Sequence, residues 1–544
     1  MSLHVAPLPS ARAVPPPRLE AVGTTTYRLA LVAIALAALL AQVGLVQAGL
    51  ERLSADESAR ILLAHNLTWA NALEPQIWPP FTKIAVGIAL HLYDDLFLVP
   101  RLLSNLAGLA TLGALVLLAE ALFGDRRIAL ATAALAALHP SRLLFAAVPL
   151  SDIYAMLFLL LAAACFLRWL RGLGGTASLL AACGALMLAE TVRYESVIFA
   201  FCLGLLLLWR WWRGMGVSTP VLLGAGMLLG GFPVFWVAES LAWHGSLENL
   251  GNASAQYRAA LGANYRHALE WIPISRPLLL EIVWNPVVLL GLAVLVPALL
   301  ADAAVAEFAL AFGLPLPLVS GMMLATLSLP LAVTWRSFGI WALLLVPWTA
   351  AGLVALAGRL RGRARLAWLV PVLFGLAILP PAGRAAWLAW RDGIRNDAQG
   401  GLRQDRQVGL ALRQMLDRGE ERALVDSWDN LDYLDVIAGS GVPGRFVTSA
   451  GADPALLANA LYLRRVPPRR EDASLREQFL EDHFGLARGG DAAALRAARI
   501  RLLLVRDAAF RRALDASPLL RTVPVNWPGW TLYRMVDDAV PPGR

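Results

Sequence analysis

Lysine is almost missing from this sequence: Lys83 is the only one, so nearly all the basic residues are arginine. Charge of either sign is scarce, at 16% of 544 residues against 58% hydrophobic ones, which excludes an ordinary soluble protein of this size. Cysteine is limited to Cys165, Cys183 and Cys202, all within apolar runs. That pattern reads as three small core residues rather than a disulfide or metal framework. The net charge of +8 does not point to nucleic acid, because the arginines cluster in short loops between apolar runs. Such a distribution orients a chain in a bilayer. The arginine bias, with abundant Ala and Gly, fits a bacterial genome rich in GC.

What is present is a series of apolar runs near 20 residues long, the length that spans a hydrocarbon core of about 30 Å. The fold class is therefore a polytopic α-helical membrane protein. Four basic loops, at Arg126, Arg168–Arg171, Arg210–Arg213 and from Arg359, should all be cytoplasmic, so an even number of spans must separate each pair. Two runs lie between the first and second loops (128–147, 152–168) and two between the second and third (175–191, 194–209). Four more precede the last loop (217–241, 278–300, 312–334, 338–357), and the parity closes. The segment 301–312 should also be cytoplasmic, although it carries Asp302 and Glu307 and no arginine. Two spans precede the first basic loop, the first of them uncleaved after the Pro-rich tail; with a last one near 366–382 the expectation is eleven spans, N-terminus in and C-terminus out. Residues 1–27 form the cytoplasmic tail, 28–383 the membrane domain with outer loops 51–98 and 242–277, and 384–544 an extracytoplasmic α/β domain.

This sidedness collects the polar residues on one face. The first outer loop opens with Asp56 and Glu57, which read either as a helix start capped by Ser54 or as a reactive acidic pair. Trp78 and the Pro79-Pro80 break precede PFTKIAVGIALHLY, which is too short to span and reads as an interfacial helix. Within it Lys83 is either a snorkelling lysine or a cation at headgroup depth for a lipid phosphate. Asp152 opens the fourth span, and Glu190, Arg193, Tyr194 and Glu195 form a charged corner that is either a structural ion cluster or part of a pocket. Glu239 and His244 border the 242–277 loop, which reads as a lid. No second histidine stands at a ligand spacing from His244, so no metal site is expected there.

The ordered series Asp56-Glu57, Pro79-Pro80, Arg101-Leu102 and Leu122-Phe123-Gly124 resembles the polyprenyl-phosphate-sugar-dependent glycosyltransferases of the C-type membrane fold. The protein O-mannosyltransferases and the aminoarabinose transferases that modify lipid A are members. The likeness is close over residues 25–200 and looser beyond. Asp152 matches the family's acid at the mouth of the fourth span, Arg193 a basic residue at the start of the sixth, and Trp335-Arg336-Ser337-Phe338 an Arg-Tyr element before a Pro-containing span. The sequence departs from the pattern in placing Lys83 after the Pro pair and in lacking the Arg-Tyr tyrosine. The resemblance implies sugar transfer at the outer face of a bacterial inner membrane from a polyprenyl-phosphate donor, among membrane lipids, to a protein, lipid or glycan acceptor. It implies Asp56 as base with Glu57 positioning substrate, Asp152 as a second acid, and Arg193, Arg336 and Lys83 as phosphate ligands. It requires no cofactor and leaves room for a divalent cation.

A transporter or lipid-linked-sugar flippase is the alternative, but the chain shows no internal repeat and its charges gather at one face. In the C-terminal region RALVDSW, GRFVTSA, RIRLLLVRD and WTLYRMV read as strands, and 401–418 and 455–463 as helices. The acids from Asp426 to Asp435 read as a solvated turn, with acceptor or cation binding as the alternative.

Overall fold

In the computed structural model the described residues are 22–48, 50, 56–75, 78–245, 286–315, 318, 335–359, 372, 375, 402–416, 421–426, 433–448 and 492–536. The chain is a polytopic helical membrane protein. Its helices run α1 (Thr24–Gln47), α2 (Asp56–His65), α3 (Phe81–Leu92), α4 (Leu98–Phe123), α5 (Arg126–Ala137), α6 (Pro140–Ala147) and α7 (Asp152–Leu170). There follow α8 (Gly175–Glu190), α9 (Ser196–Trp212), α10 (Thr219–His244), α11 (Pro286–Ala301), α12 (Ala303–Phe308) and α13 (Trp335–Arg359). Five described helices are long and apolar enough to cross a membrane, or up to seven if two bent pairs each count as one. The helices α8 and α9 are apolar but shorter, and the runs expected at 312–334 and 366–382 lie almost entirely outside the described residues.

Local chemistry explains the breaks. Gly124 ends α4 in the left-handed conformation (φ 63°), its N–H bonded to Glu120 O, and the Asp125 side chain then caps α5 through Arg127 N. The run expected as one span over 128–147 is two helices bent by 58° at His139-Pro140, because proline cannot continue the α5 hydrogen-bond ladder. Arg142, fully buried, donates from Nε to Ala136 O and from its two terminal nitrogens to Gly108 O and Ala137 O, so the break leaves these carbonyls satisfied.

The segment 301–312 also departs from a plain loop: α11 and the α12 region meet at 118°. Asp302 pairs with Arg171 at 2.5 Å and Glu307 with Arg210 at 2.5 Å. The segment without arginine thus takes its cations from two basic loops, which sets all three at one end of the bundle. Asp152 opens the 19 residues of α7 and Arg171 follows them, so the two stand roughly 28 Å apart at 1.5 Å per residue.

The expected strands appear as β1 (Arg422–Val425), β2 (Phe446–Thr448), β3 (Ile500–Val505) and β5 (Thr531–Met535), with an additional edge strand, β4 (Leu520–Val523). The sheet order is β2-β1-β3-β5-β4, parallel around β1 and antiparallel around β5. Helices α14 (Leu402–Met415) and α15 (Tyr433–Ser440) precede β1 and β2; α16 (Ala492–Ala497) and α17 (Ala508–Asp515) flank β3. The helix expected at 455–463 lies outside the described residues. Two of the acids expected in a solvated turn are buried, while Asp429 and Asp432 lie outside the described residues. Asp426 is fully buried and accepts from Arg506 N and Asp507 N, and Asp435 is buried against Ser58. Asp426 thus satisfies the backbone where β3 ends.

One feature crosses the expected domain boundary. Ala59, Leu62 and Leu63 of α2 belong to the same apolar core as Val408, Leu412, Tyr433, Ile437 and Trp530. Ile61 and Ala64, on another side of α2, pack with Val86, Leu90 and Val99 of α3 and α4. The helix carrying the acidic pair is shared between the bundle and the C-terminal region.

Candidate active site

The site is assembled at the end of the bundle opposite Arg171 and Arg210. Asp152, the first residue of α7, is 3% exposed. Its Oδ1 accepts from Arg193 Nη1 at 2.5 Å. The same guanidinium forms a two-toothed pair with Glu195, Nη2 to Oε1 at 2.7 Å and Nε to Oε2 at 3.2 Å. Burial would raise the Glu195 carboxyl, but the Arg193 charge and hydrogen bonds outweigh it and hold the group below the usual range. The charged corner expected at Glu190–Glu195 therefore exists, but Glu190 is no part of the ion cluster. It is fully buried, and neither carboxylate oxygen has a hydrogen-bond partner among the described residues.

A second group adjoins this triad through Tyr194, whose hydroxyl accepts from Trp236 Nε1 at 2.9 Å. Burial pushes that hydroxyl up from its ordinary value, against the Trp236 hydrogen bond and the nearby Arg60 charge, which pull it down. Arg60 is buried and lies 4.4 Å over the Trp78 ring. One helical turn separates Arg60 from Asp56, so the two share a face of α2. Asp56 is half-buried in the first turn of the helix. The segment between α1 and α4 joins the corner through α3: Phe81 N donates to Thr191 O at 3.0 Å, and the Phe81 ring meets Tyr154 and Phe158 of α7.

Glu57 is 1% exposed and lines a cavity of about 40 Å³ with Ser58, Arg101, Arg406 and Asp435. Lys83 is buried and donates to Asn71 O at 2.5 Å. Burial brings its ammonium down to about 8, although Glu74 raises it. Arg336 is the second residue of α13, and its side chain lies outside the described residues, as does that of His244 at the end of α10. The start of α13 is nonetheless near the site. A Cβ on Gly339 would stand 2.8 Å from Ser141 and 2.9 Å from Met156, one turn along α7 from Asp152. Among the described residues no group of three His, Cys, Asp or Glu forms a metal site, and most of the 242–277 loop lies outside them.

Sequence reasoning missed two features. Arg60 was hidden within the DESAR segment, where its spacing of four from Asp56 is the signal that could have identified it. The second is an apolar groove of about 460 Å³ lined by Phe81 and Ile84 of α3, Met187 and Leu188 of α8, and Phe232 and Phe235 of α10. These residues come from three separated segments, so no single stretch reveals it.

No protein-family model matches the chain, and no curated protein does. Solved structures match over nearly its whole length. The apo oligosaccharyltransferase of Archaeoglobus fulgidus aligns at TM-score 0.52 and 13% identity, over 89% of this chain and 70% of that one. ArnT from Cupriavidus metallidurans aligns at 0.56 and 14% in its apo state, over 94% and 98% of the two chains. Bound to undecaprenyl phosphate, ArnT aligns at 0.57 and 14%, over 95% and 99%. The fold of this chain is the C-type membrane fold that its motifs imply.

Proposed function

We propose that this chain, with the membrane fold of ArnT, is a glycosyltransferase that moves a hexosyl or pentosyl unit from a polyprenyl-phosphate donor to an acceptor at the outer face of a bacterial inner membrane. The acceptor is a protein, lipid or glycan. The observation that carries this reading is convergence: an acidic helix, a fixed guanidinium and an apolar groove, far apart in sequence, meet at one end of the bundle. Undecaprenyl phosphate in the ArnT structure is a ligand of the class such a groove would accept.

The residues divide the work by their chemistry. Asp56 takes the proton from the acceptor hydroxyl or amine as the acceptor attacks the anomeric carbon. The bond from that carbon to the phosphate oxygen breaks, and the lipid phosphate leaves with the electron pair. Phosphate departs readily, so the demand is for cations rather than for a strong acid. Asp152, Arg193 and Glu195 sum to one negative charge, so Arg193 alone is not a strong anion site. Arg60, Arg336 and Lys83 complete the positive field, while Asp152 and Glu195 hold Arg193 in place so that little reorganisation accompanies the step. The groove beside α3 takes the first isoprene units, where their burial is favourable at about 25 cal/mol per Å². Glu57 borders the site from the closed side of α2, and Trp78, Tyr194 and His244 are the remaining pocket residues.

Asp56→Asn, purified and reconstituted in vesicles with a lipid-phosphate sugar, should lose about 100-fold or more in transfer rate while keeping its melting temperature. Full activity in that variant would remove Asp56 from the reaction. No product from the wild-type protein with any hexosyl or pentosyl lipid phosphate would remove the function.

A further inference from the structure

The cavity beside Glu57 is too small for a sugar and has a composition unlike a core. Its lining includes two acids, Glu57 and Asp435, and two arginines, Arg101 and Arg406, around a space of about 40 Å³, room for roughly one water molecule. Glu57 and Arg101 come from the bundle; Arg406 and Asp435 come from α14 and α15 of the C-terminal region. Glu57, Arg101 and Asp435 are buried and Arg406 is half-buried; charges so placed persist when balanced, and here the signs are equal in number. Both guanidiniums lie on the Phe97 ring at the start of α4, Arg101 at 3.7 Å and Arg406 at 3.5 Å. Ser58 Oγ donates to Asp435 Oδ1 at 2.5 Å, a direct tie between α2 and α15.

The platform under this contact is closely packed. At the crossing of α14 and α15 a Cβ on Gly409 would fall 2.1 Å from Val436 O, and one on Gly439 would fall 2.7 Å from the Arg406 Cα. Arg406 and Asp435 thus stand on two helices whose backbones are in contact. By contrast α2 has only 10 residues, too few to hold a helix or its direction without tertiary contacts. Side chains on a helix turn by about 100° per residue, so fixing Glu57 and Ser58 on one side fixes where Asp56 points on the next.

We infer that Arg406 and Asp435 are positioning residues: from the C-terminal region they clamp the start of α2 and so aim Asp56 at the acceptor. This rests on the transfer reading given above. Loss of the clamp lowers turnover and leaves donor binding intact, because the apolar groove is lined by other residues.

Asp435→Ala and Arg406→Gln, prepared as full-length protein in vesicles, test this alongside Ser58→Ala and Asp56→Asn. Expected are a fall in kcat of about 10- to 100-fold with the KM for the lipid-phosphate sugar within about twofold. Asp435→Asn, which still accepts from Ser58, should recover part of the rate. Hydrogen exchange should quicken over 56–65, and Asp56→Asn combined with Asp435→Ala should be no slower than Asp56→Asn alone. Unchanged kcat in the Asp435 and Arg406 variants, with Asp56→Asn inactive, overturns the clamp and leaves the transferase reading standing. A raised KM with unchanged kcat overturns it too, since the pair would then contact donor. If the wild type transfers nothing, the transferase reading has failed, and the exchange experiment decides the clamp alone: unaltered exchange over 56–65 ends it.

Discussion

Lys83 shows what a single residue's surroundings decide. Its sequence position suits either a snorkelling cation or a phosphate ligand, and the structure adds the Asn71 carbonyl and a burial that lowers the ammonium to about 8 from the ordinary 10.5. Below pH 8 the group is charged in both folded and unfolded chains, so the cost of burying it is fully present. Between about 8 and 10.5 the unfolded chain holds the proton and the folded one does not, so stability rises with pH in that window. The melting temperature of the wild type minus that of Lys83→Met should therefore climb from pH 8 to 10. Saturating polyprenyl phosphate should flatten the climb if the ammonium meets the phosphate, by holding its proton in place. A difference that is flat with pH in the free protein would refute the assignment. At this scale Asp152 and Arg193 were legible as candidates, yet nothing in the sequence gave their contact, because 41 positions separate them.

At the scale of elements, legibility followed periodicity. The short apolar helix at Phe81–Leu92, four strands and the long spans carry their own pattern of apolar residues. The short edge strand Leu520–Val523 does not: its burial runs from buried through two exposed positions to half-buried, too weak an alternation over four residues. The bend at His139-Pro140 was readable from proline but was absorbed into a run of suitable length. The embedding of α2 was illegible for another reason: an amphipathic pattern says that a face is covered, not by what. The crossing of α14 and α15 yields a sharp expectation. Gly409→Ala places a methyl against Val436 O, where backbone rather than a flexible side chain must give way. It should cost about 1–3 kcal/mol or more in the stability of the C-terminal region, seen as earlier thermal exposure of the Trp530 indole. Gly444→Ala, with open space around its Cβ, serves as the control.

For the whole molecule, arginine parity gives an expected orientation, and the structure shows which charges share one end of the bundle. Asp302 and Glu307, awkward in a basic cytoplasmic loop, are the counterions of Arg171 and Arg210 and so belong with them. The reading predicts that in intact cells a membrane-impermeant thiol reagent modifies Thr68→Cys, exposed beside α2, and not Gly172→Cys, exposed beside Arg171. Permeabilised cells should label both. Reversed labelling would invert the protein and place its chemistry in the cytoplasm. Sites that converge from several helices, as the groove does, escape a sequence because the information lies in how the helices pack.

That groove opens sideways, with Leu188 and Phe235 of its lining still exposed on the flank of the bundle. A ligand with a long hydrocarbon tail would arrive by diffusing within the plane of the lipid, never crossing water. Turnover should then follow the mole fraction of donor in the vesicle wall, and diluting the lipid with inert phospholipid should slow it even when the total donor in the tube is unchanged.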